Sequence, residues 1–395
     1  MDSKRLFDLA SEFGTPAFVF DTDAFAERAR AIRSIFGERV SLCFAVKANP
    51  FLIPEACKVV DKLEVCSPGE LEICKRLGVD PAMVVFSGVN KTAESVRVAA
   101  EFGVGVFTAE SKKHVRLIED DGRAFATVHD VLLRLNAGSQ FGMSKSDLVD
   151  IVESRAEFGH VNIVGIHYFV GTQRTNLKHQ FRELEKLKVF LDELREEHGL
   201  EVERLEYGPG LGVALFEGDD CEDTLEPARQ LASALQDVAC NVELTVEMGR
   251  FFATECGTYL TSVNDTKDND DTSYCIVDGG INHLTYVGQL MGMKTPVIEN
   301  LSALQRGEER GDDKQWCVCG SLCTTGDVLA RQATLCDVRE GDVFAFANAG
   351  AYAVTEGVYL FLSREMPRIV LARADGSARV VRDAFDTSIL NTAQL

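Results

Sequence analysis

The feature that most constrains the fold of this chain is a regular alternation of short β-rich runs and helix-like stretches between residues 42 and 246. Alternating strands and helices indicate an α/β fold with parallel strands joined by helical crossovers. Eight such units in about 200 residues are typical of a closed (β/α)8, or TIM, barrel. An open doubly wound sheet is the alternative, but no Gly-x-Gly-x-x-Gly follows the first strand. The predicted strands are 42–46, 63–65, 83–86, 104–107, 132–136, 163–167, 204–206 and 243–246.

The sequence changes in character after residue 249, where strand-like runs recur without long helices between them. Turn signals separate these runs, so the sequence predicts a C-terminal antiparallel β domain. Residues 18–21, ahead of the barrel, form one more strand-like run, and this run is expected to join the β domain. The polar residues 264–271 predict a surface loop. The predicted division is an N-terminal segment 1–36 that contributes a strand to the β domain, a barrel 37–255, and a β domain 256–395.

Composition excludes several classes of partner. The chain has 395 residues and a formal net charge of −21. A surface this acidic repels nucleic-acid phosphates and anionic lipids, so neither nucleic acid nor membrane is expected as a partner. The sequence contains no run of about 18 apolar residues and no apolar signal-peptide centre, which predicts a cytoplasmic protein. Its twelve cysteines are scattered, and Cys317, Cys319 and Cys323 fit no standard zinc spacing, so no metal site is predicted.

Lys47 follows four residues of the first predicted strand, Cys-Phe-Ala-Val. This position places its amine at the C-terminal end of a barrel, where barrel enzymes carry their active sites. A partly desolvated amine has a lowered pKa and can act as a nucleophile toward an aldehyde. The alternative is an ordinary lysine that extends from a strand end into solvent.

Two glycine-containing loops follow the last two predicted barrel strands. Residues 207–212 read Tyr-Gly-Pro-Gly-Leu-Gly, and residues 247–250 read Glu-Met-Gly-Arg. Barrels commonly bind phosphate with the loops after strands seven and eight. Glycine allows backbone amides to approach an anion, and Arg250 can pair with it bidentately. Glu247 is placed to accept a hydrogen bond from a protonated pyridine nitrogen, although a surface or capping glutamate is the alternative.

These residues, in this order, resemble the fold-type III pyridoxal-5′-phosphate (PLP) decarboxylases, which include diaminopimelate and ornithine decarboxylases and share an alanine-racemase-like barrel. The resemblance extends from about residue 14 to residue 371 and is carried by six ordered motifs. The motifs are 44–49 (Phe-Ala-Val-Lys-Ala-Asn), 165–167 (Gly-Ile-His), 207–212, 247–250, 320–327 (Gly-Ser-Leu-Cys-Thr-Thr-Gly-Asp) and 350–352 (Gly-Ala-Tyr).

The resemblance implies the roles of the site residues. Lys47 would hold the cofactor covalently, Glu247 would face the pyridine nitrogen, and His167 would belong to the catalytic and cofactor site. A lone strand histidine is otherwise a satisfied core residue. Cys323 would reach into the partner's site of a homodimer and help to protonate the product carbanion. The phosphate would be held by Gly210, Gly249, Arg250 and Tyr352.

The sequence departs from the family pattern at three places. Phe169 stands where relatives usually carry a second histidine stacked on the cofactor ring; a phenyl ring can stack but cannot donate a hydrogen bond. Thr324 follows the cysteine, where ornithine and diaminopimelate enzymes have an acidic residue. No arginine follows Asn282, where diaminopimelate enzymes grip the distal carboxylate. Thr324, with Asp278 and Asp327, is predicted to contact the substrate.

The predicted function is therefore decarboxylation of an amino acid or amino-acid conjugate, small or carrier-linked, that differs from diaminopimelate. Three alternatives stay open: an authentic diaminopimelate or ornithine/lysine decarboxylase, an amino-acid racemase, and a catalytically silent regulator. Racemases of this architecture normally use a tyrosine as the opposing base, whereas residues 320–327 fit decarboxylases better. Retention of Lys47, Glu247, Arg250 and Cys323 argues against a silent regulator.

Overall fold

A computed structural model of the chain describes residues 1–219, 222–307 and 313–394. The chain divides into two compact units. The first consists of Met1–Phe25, Ala214–Glu222 and Ala253–Leu395, and the second of Ala26–Val213 and Asp223–Phe252.

The chain begins with helix α1 (Ser3–Phe13), strand β1 (Ala17–Asp21) and helix α2 (Thr22–Phe36). Asp2 caps α1 by accepting the backbone N–H of Arg5, which satisfies one of the free donors of the first turn. Apolar residues of α1 and β1 lie in the core of the first unit, which also contains Leu260, Leu301, Ala345 and Val370. The N-terminal residues are therefore an integral part of this unit.

The second unit is built around a closed barrel of eight parallel strands. Strand β2 (Val40–Ala45) pairs with β3 (Lys62–Val65) on one side and with β9 (Glu243–Met248) on the other. Cys43 lies opposite Lys62 and Val40 opposite Leu244, and this double pairing closes the barrel. The predicted (β/α)8 fold is confirmed. The barrel strands are β2 (Val40–Ala45), β3 (Lys62–Val65), β4 (Val84–Phe86), β5 (Val106–Ala109), β6 (His129–Arg134), β7 (Val161–Phe169), β8 (Arg204–Gly208) and β9 (Glu243–Met248).

Helices follow the barrel strands, and serine or threonine begins several of them. Ser67, Ser111 and Ser144 each accept a backbone N–H of the first helical turn, and Thr92 forms a capping box with Ser95. None of the described helices is long and apolar enough to cross a lipid bilayer. The helices are α3 (Ile53–Ala56), α4 (Pro68–Arg76), α5 (Ala93–Phe102), α6 (Lys112–Phe125), α7 (Lys145–Glu153), α8 (Lys178–Glu196), α9 (Glu226–Val238) and α10 (Arg250–Ala253).

The first unit contains a mixed, mostly antiparallel sheet. Strand β1 lies inside this sheet, antiparallel to β10 (Gly257–Asn269) and parallel to β16 (Arg368–Ala372), so the predicted N-terminal strand contribution is confirmed. Two short helices, α11 (Leu301–Gln305) and α12 (Ser388–Asn391), complete the unit. Its other strands are β10 (Gly257–Asn269), β11 (Thr272–Val277), β12 (Ile298–Asn300), β13 (Asp313–Cys319), β14 (Val328–Cys336), β15 (Val343–Phe346), β16 (Arg368–Ala372) and β17 (Ala378–Arg382).

The polar residues 264–271 are not a loop, and that prediction is wrong. They form the end of β10 and the turn into β11, with Asp268 opposite Ser273 and Asn269 opposite Thr272. Most of these side chains are exposed, so this end of β10 does not require apolar residues. Polar contacts replace them, including Ser273 to Asp268 and Lys314 to Asp268 at 2.7 Å.

Candidate active site

The barrel carries a ring of charged or ionisable side chains, with one in or just after each strand. Seven of these eight residues are at most 8% exposed. A barrel interior is ordinarily filled by Val, Ile and Leu, and burial of a charge is costly unless the charge is paired. Such a concentration of buried ionisable groups is typical of a functional site. The eight residues are Lys47, Glu64, Lys91, Glu110, Arg134, His167, Glu206 and Glu247.

Lys47 lies in a short 3-10 turn, Val46–Ala48, directly after β2. Its amine donates a hydrogen bond to Glu64 Oε2 and lies 3.5 Å from Glu247 Oε1. The side chain of Lys47 is 38% exposed, whereas those of Glu64 and Glu247 are 3% and 7% exposed. The amine is therefore reachable from solvent, while its carboxylate partners are buried beneath it.

His167 is fully buried on β7, with its Nε2 3.1 Å from Glu247 Oε2. Burial, helped by the Arg134 charge, lowers the pKa of His167 to about 3, so the ring is neutral. Burial alone would raise the pKa of Glu247, but the charges of Lys47 and Arg134 and a hydrogen bond from Glu64 lower it, so the group is ionised. His167 therefore donates from Nε2. No described residue provides a partner for its buried Nδ1.

Arg134 and Glu110 form a second buried pair, with Arg134 Nη1 2.9 Å from Glu110 Oε1. The other oxygen of Glu110 accepts the backbone N–H of Gly142 at 3.0 Å. Arg134 lies opposite His167 in the β6–β7 register. The arrangement supplies positive charge beside the His167–Glu247 pair and satisfies the Glu110 carboxylate.

The glycines of the loop after β8 are required by close contacts. A Cβ on Gly210, whose φ is +60°, would lie 1.7 Å from the carbonyl oxygen of Gly171. A Cβ on Gly208 would lie 2.4 Å from Cδ2 of Phe169. The Phe169 ring therefore packs directly on the backbone at Gly208, and the loop accepts no side chain at either position.

Gly249 and Arg250 follow β9, the strand adjacent to β8 in the barrel. The two glycine-containing loops are thus neighbours, as the sequence predicts. Arg250 is 8% exposed. A guanidinium can pair bidentately with carboxylate or phosphate oxygens, and the phosphate role of Arg250 stays a prediction.

The other predicted site residues belong to the first unit. Cys323 and Thr324 are exposed on a loop that Asp327 organises. The Asp327 carboxylate accepts the backbone N–H groups of Ile281 at 2.8 Å and Leu322 at 2.7 Å, and it is 3% exposed. Its observed contacts therefore order the loop; contact with substrate stays a prediction.

Asp278 also has structural partners. One oxygen accepts the Thr261 hydroxyl at 2.5 Å and the Ser262 N–H at 3.0 Å, and the other accepts the Thr15 hydroxyl at 2.5 Å. The carboxylate thus joins the N-terminal residues to β10. Its predicted substrate role is likewise untested. Tyr352 adopts a positive φ of 68° in a turn of the same unit.

Sequence reasoning missed Glu64, Lys91, Glu110, Arg134 and Glu206 as members of the ring. Glu64 and Glu206 each carried a signal, since a glutamate stands alone within an apolar strand, in Leu-Glu-Val and in Leu-Glu-Tyr. Burial raises the pKa of Glu206 well above its ordinary value, with Glu247 and Glu64 adding to the effect. Glu206 is therefore held in the neutral form.

Glu64, His167 and Glu247 offer ligand atoms that lie within 4.8 Å of one another. A divalent metal accepts such a set of two carboxylates and one imidazole. Here the Lys47 amine binds both carboxylates and already supplies the positive charge.

Comparison with known proteins identifies relatives over the whole chain. The family described as "Pyridoxal-dependent decarboxylase, pyridoxal binding domain" matches residues 22–254. The diaminopimelate decarboxylase of Aquifex aeolicus is 28% identical, over 97% of this chain and 92% of that protein. The L-glutamyl-[BtrI acyl-carrier protein] decarboxylase of Niallia circulans is 25% identical, over 97% and 94%. The diaminopimelate decarboxylase structure of Methanocaldococcus jannaschii in co-complex with L-lysine has a TM-score of 0.82 and 25% identity, over 96% and 92%.

The neutral state of His167 predicts a dependence of stability on pH. The unfolded imidazole takes up a proton below about pH 6.5, whereas the buried one does so only near 3, so acid favours the unfolded state. Between about pH 7 and about pH 5, the titration of this group lowers the free energy of unfolding by about 2 kcal/mol. In His167→Gln this decrease in the free energy of unfolding should be absent, because the glutamine amide donates a hydrogen bond to Glu247 but does not titrate.

Urea denaturation of the cofactor-free chain at several pH values measures this difference. The comparison uses slopes against pH, since His167→Gln also changes stability at neutral pH. The exposed His179, replaced in the same way, is the control and should keep the wild-type slope. A wild-type slope in His167→Gln would mean that the buried ring is protonated in the folded protein.

Proposed function

This chain belongs to the pyridoxal-dependent decarboxylases, and from that membership we propose that it removes the α-carboxylate of an amino acid or amino-acid conjugate whose far end is uncharged. The observation that carries the substrate part is an uncharged pocket lined by the segment in which relatives carry an arginine. Charged distal groups have no partner there.

The barrel residues fit a pyridoxal phosphate. The amine of Lys47 is accessible, the buried Nδ1 of His167 lacks a partner in the described part of the chain, and the backbone at Gly208 and Gly210 carries no side chain that would keep an anion away. The bound cofactor supplies an electron sink for the bond pair released with carbon dioxide. Lys47 would hold it.

The remaining barrel residues hold charges and protons in fixed states. Glu247, ionised through Lys47 and Arg134, would accept a hydrogen bond from the pyridine nitrogen and keep it protonated. His167 fixes the orientation of Glu247 by donating from Nε2. Gly210, Gly249 and Arg250 would bind the phosphate oxygens. Phe169, packed on Gly208, leaves the site without the hydrogen-bond donor that a histidine would provide.

The case for an uncharged far end comes from the first unit. A cavity of 310 Å³ there is lined by Leu284, Thr285 and Tyr286, which follow Asn282, and by Gly326 and Val328, which follow the Cys323 loop. The segment after Asn282, where an arginine is expected, thus borders this cavity, and Thr324 lies two residues before the lining residue Gly326. Its described lining residues include no charged side chain. Burial of an unpaired ammonium or carboxylate costs several kcal/mol.

The Niallia circulans relative, a glutamyl-carrier-protein decarboxylase by name, supports a conjugated substrate. Acylation of a carrier removes the charge of the carboxylate that forms the link. A carrier-linked or otherwise acylated amino acid therefore suits an apolar pocket. Diaminopimelate is the second candidate, because the Aquifex aeolicus relative covers nearly the whole chain.

We further propose a cytoplasmic homodimer in which Cys323 acts in the partner's active site. Cys323 is exposed on a loop whose backbone Asp327 fixes. An exposed thiol held on an ordered loop is suited to deliver a proton to a site outside its own unit.

The cofactor assignment is tested by reduction. Borohydride treatment of the loaded protein, followed by peptide mass spectrometry, should place a pyridoxyl group on Lys47. Lys47→Ala should lose covalent cofactor and turnover, because within residues 1–219, 222–307 and 313–394 no other amine is both accessible and held by two buried carboxylates. A label on Lys91, which is 2% exposed, would contradict the assignment.

The substrate assignment is tested by steady-state kinetics. The chain lacks two charge-assisted contacts of about 1.5–3 kcal/mol each, so kcat/KM for meso-diaminopimelate should be about two to four orders of magnitude below that for an amino acid with an acylated far end. Thr324→Glu should raise kcat/KM for substrates with a distal ammonium, and Thr324→Gln is its uncharged control. A wild-type value above about 10⁴ M⁻¹s⁻¹ for meso-diaminopimelate would favour the second candidate.

The dimer proposal is tested by complementation. Lys47→Ala and Cys323→Ala are each expected to be inactive, whereas mixed subunits should regain part of the activity, since each hybrid contains one intact pair of Lys47 and Cys323. Subunit exchange is followed with differently tagged chains. Complete exchange without recovery of activity would show that Cys323 does not act across the dimer.

A further inference from the structure

The loop after β8 lies against the segment that follows β7. Arg174 donates its backbone N–H to the Gly210 carbonyl at 2.9 Å and accepts that of Gly212 at 3.3 Å, which forms one parallel bridge with Leu211. The Gln173 side chain exchanges two hydrogen bonds of 3.0 Å with the backbone of Val213. The conformation of residues 208–213 is therefore set by residues 173 and 174.

The side chain of Arg174 is anchored to α8. Its Nη1 lies 2.9 Å from Glu183 Oε2, and its Nη2 donates to Glu183 Oε1. The two side chains are only 15% and 11% exposed. The fully buried Tyr207, which precedes the glycine loop, donates its hydroxyl proton to Glu183 Oε2 at 2.9 Å. Glu183 thus holds both the strand that enters the loop and the segment that lies along it.

A third contact from α8 reaches the loop itself. Gln180, fully buried, donates its side-chain N–H to the Pro209 carbonyl at 3.0 Å. Gly210 already lies so close to the Gly171 carbonyl oxygen that a Cβ would overlap it. The glycine loop therefore cannot move further toward Gly171. Loss of the anchor would let residues 171–174 move, and the glycine loop would move with them.

We propose that Arg174 and Glu183 are a positioning pair that sets the glycine-loop backbone for the cofactor phosphate. The inference rests on the proposed function, because the phosphate is that of the cofactor. Neither residue touches the reacting atoms. The pair acts through the backbone of residues 208–212, whose amides must converge on one anion.

The experiment compares pyridoxal 5′-phosphate with pyridoxal, which lacks the phosphate but retains the aldehyde for Lys47. The full-length chain is freed of cofactor and titrated with each, and dissociation constants are read from absorbance. Arg174→Met and Glu183→Gln should each weaken pyridoxal 5′-phosphate about tenfold or more and leave pyridoxal within about twofold. Arg174→Lys, which keeps the charge without bidentate pairing, should give an intermediate loss.

Electrostatics alone makes the opposite prediction for one variant. Arg174→Met leaves the Glu183 anion and would weaken phosphate binding, whereas Glu183→Gln leaves the Arg174 cation and would strengthen it. Parallel losses therefore support positioning, and opposite changes overturn it. Arg97→Met is the matched control, because Arg97 pairs with the buried Asp121 at 3.2 Å between α5 and α6, and it should change neither constant.

Two further outcomes separate this inference from the proposed function. Equal losses for both compounds, accompanied by a lower melting temperature, would overturn positioning and indicate general destabilisation. If the wild-type protein and all three variants bind pyridoxal 5′-phosphate equally tightly, the positioning inference is overturned and the cofactor assignment stands. Wild-type protein that binds neither compound would overturn the cofactor assignment itself.

Discussion

The contact on which the site depends is the Lys47 ammonium held between the buried carboxylates of Glu64 and Glu247. A barrel interior tolerates such carboxylates only where a cation compensates them. The ring has three cations, on Lys47, Lys91 and Arg134, for four carboxylates. Burial raises the pKa of two of these carboxylates, Glu64 and Glu206, which reduces the excess of negative charge.

The same constraint determines the protonation of the neighbouring groups. The pKa of His167 is lowered by burial and, next, by the charge of Arg134, so the ring is neutral; Glu247 is ionised because Lys47 and Arg134 stabilise its charge. Lys91 is satisfied differently, by the backbone carbonyls of Ser87 and Gly88, and burial lowers its pKa to about 8. The proposed cofactor would use both groups, the accessible amine to hold its aldehyde and the ionised carboxylate to face its pyridine nitrogen.

The loops show a division between residues that are proposed to contact ligands and residues that hold those residues in place. Gly208 and Gly210 have no side chain, so their position depends on Phe169, Gly171 and the Arg174 segment. In the first unit, Asp327 has the corresponding role for the loop that carries Cys323 and Thr324. A motif can therefore contain a carboxylate whose observed contacts are with the backbone alone.

The sequence by itself determined the barrel, the strand from the N-terminus, the position of Lys47 and the two adjacent glycine loops, because hydrophobic periodicity and strand ends are local properties. Only the tertiary structure decided which polar groups meet. Asp278 contacts Thr15 across 263 positions of the chain, and Asp327 contacts Ile281 across 46. The sequence predicts a loop at residues 264–271 because these residues are all polar or charged, whereas the structure continues β10 through most of them. Inward-facing charges such as Glu64 depend on barrel closure, which brings β2, β3 and β9 together.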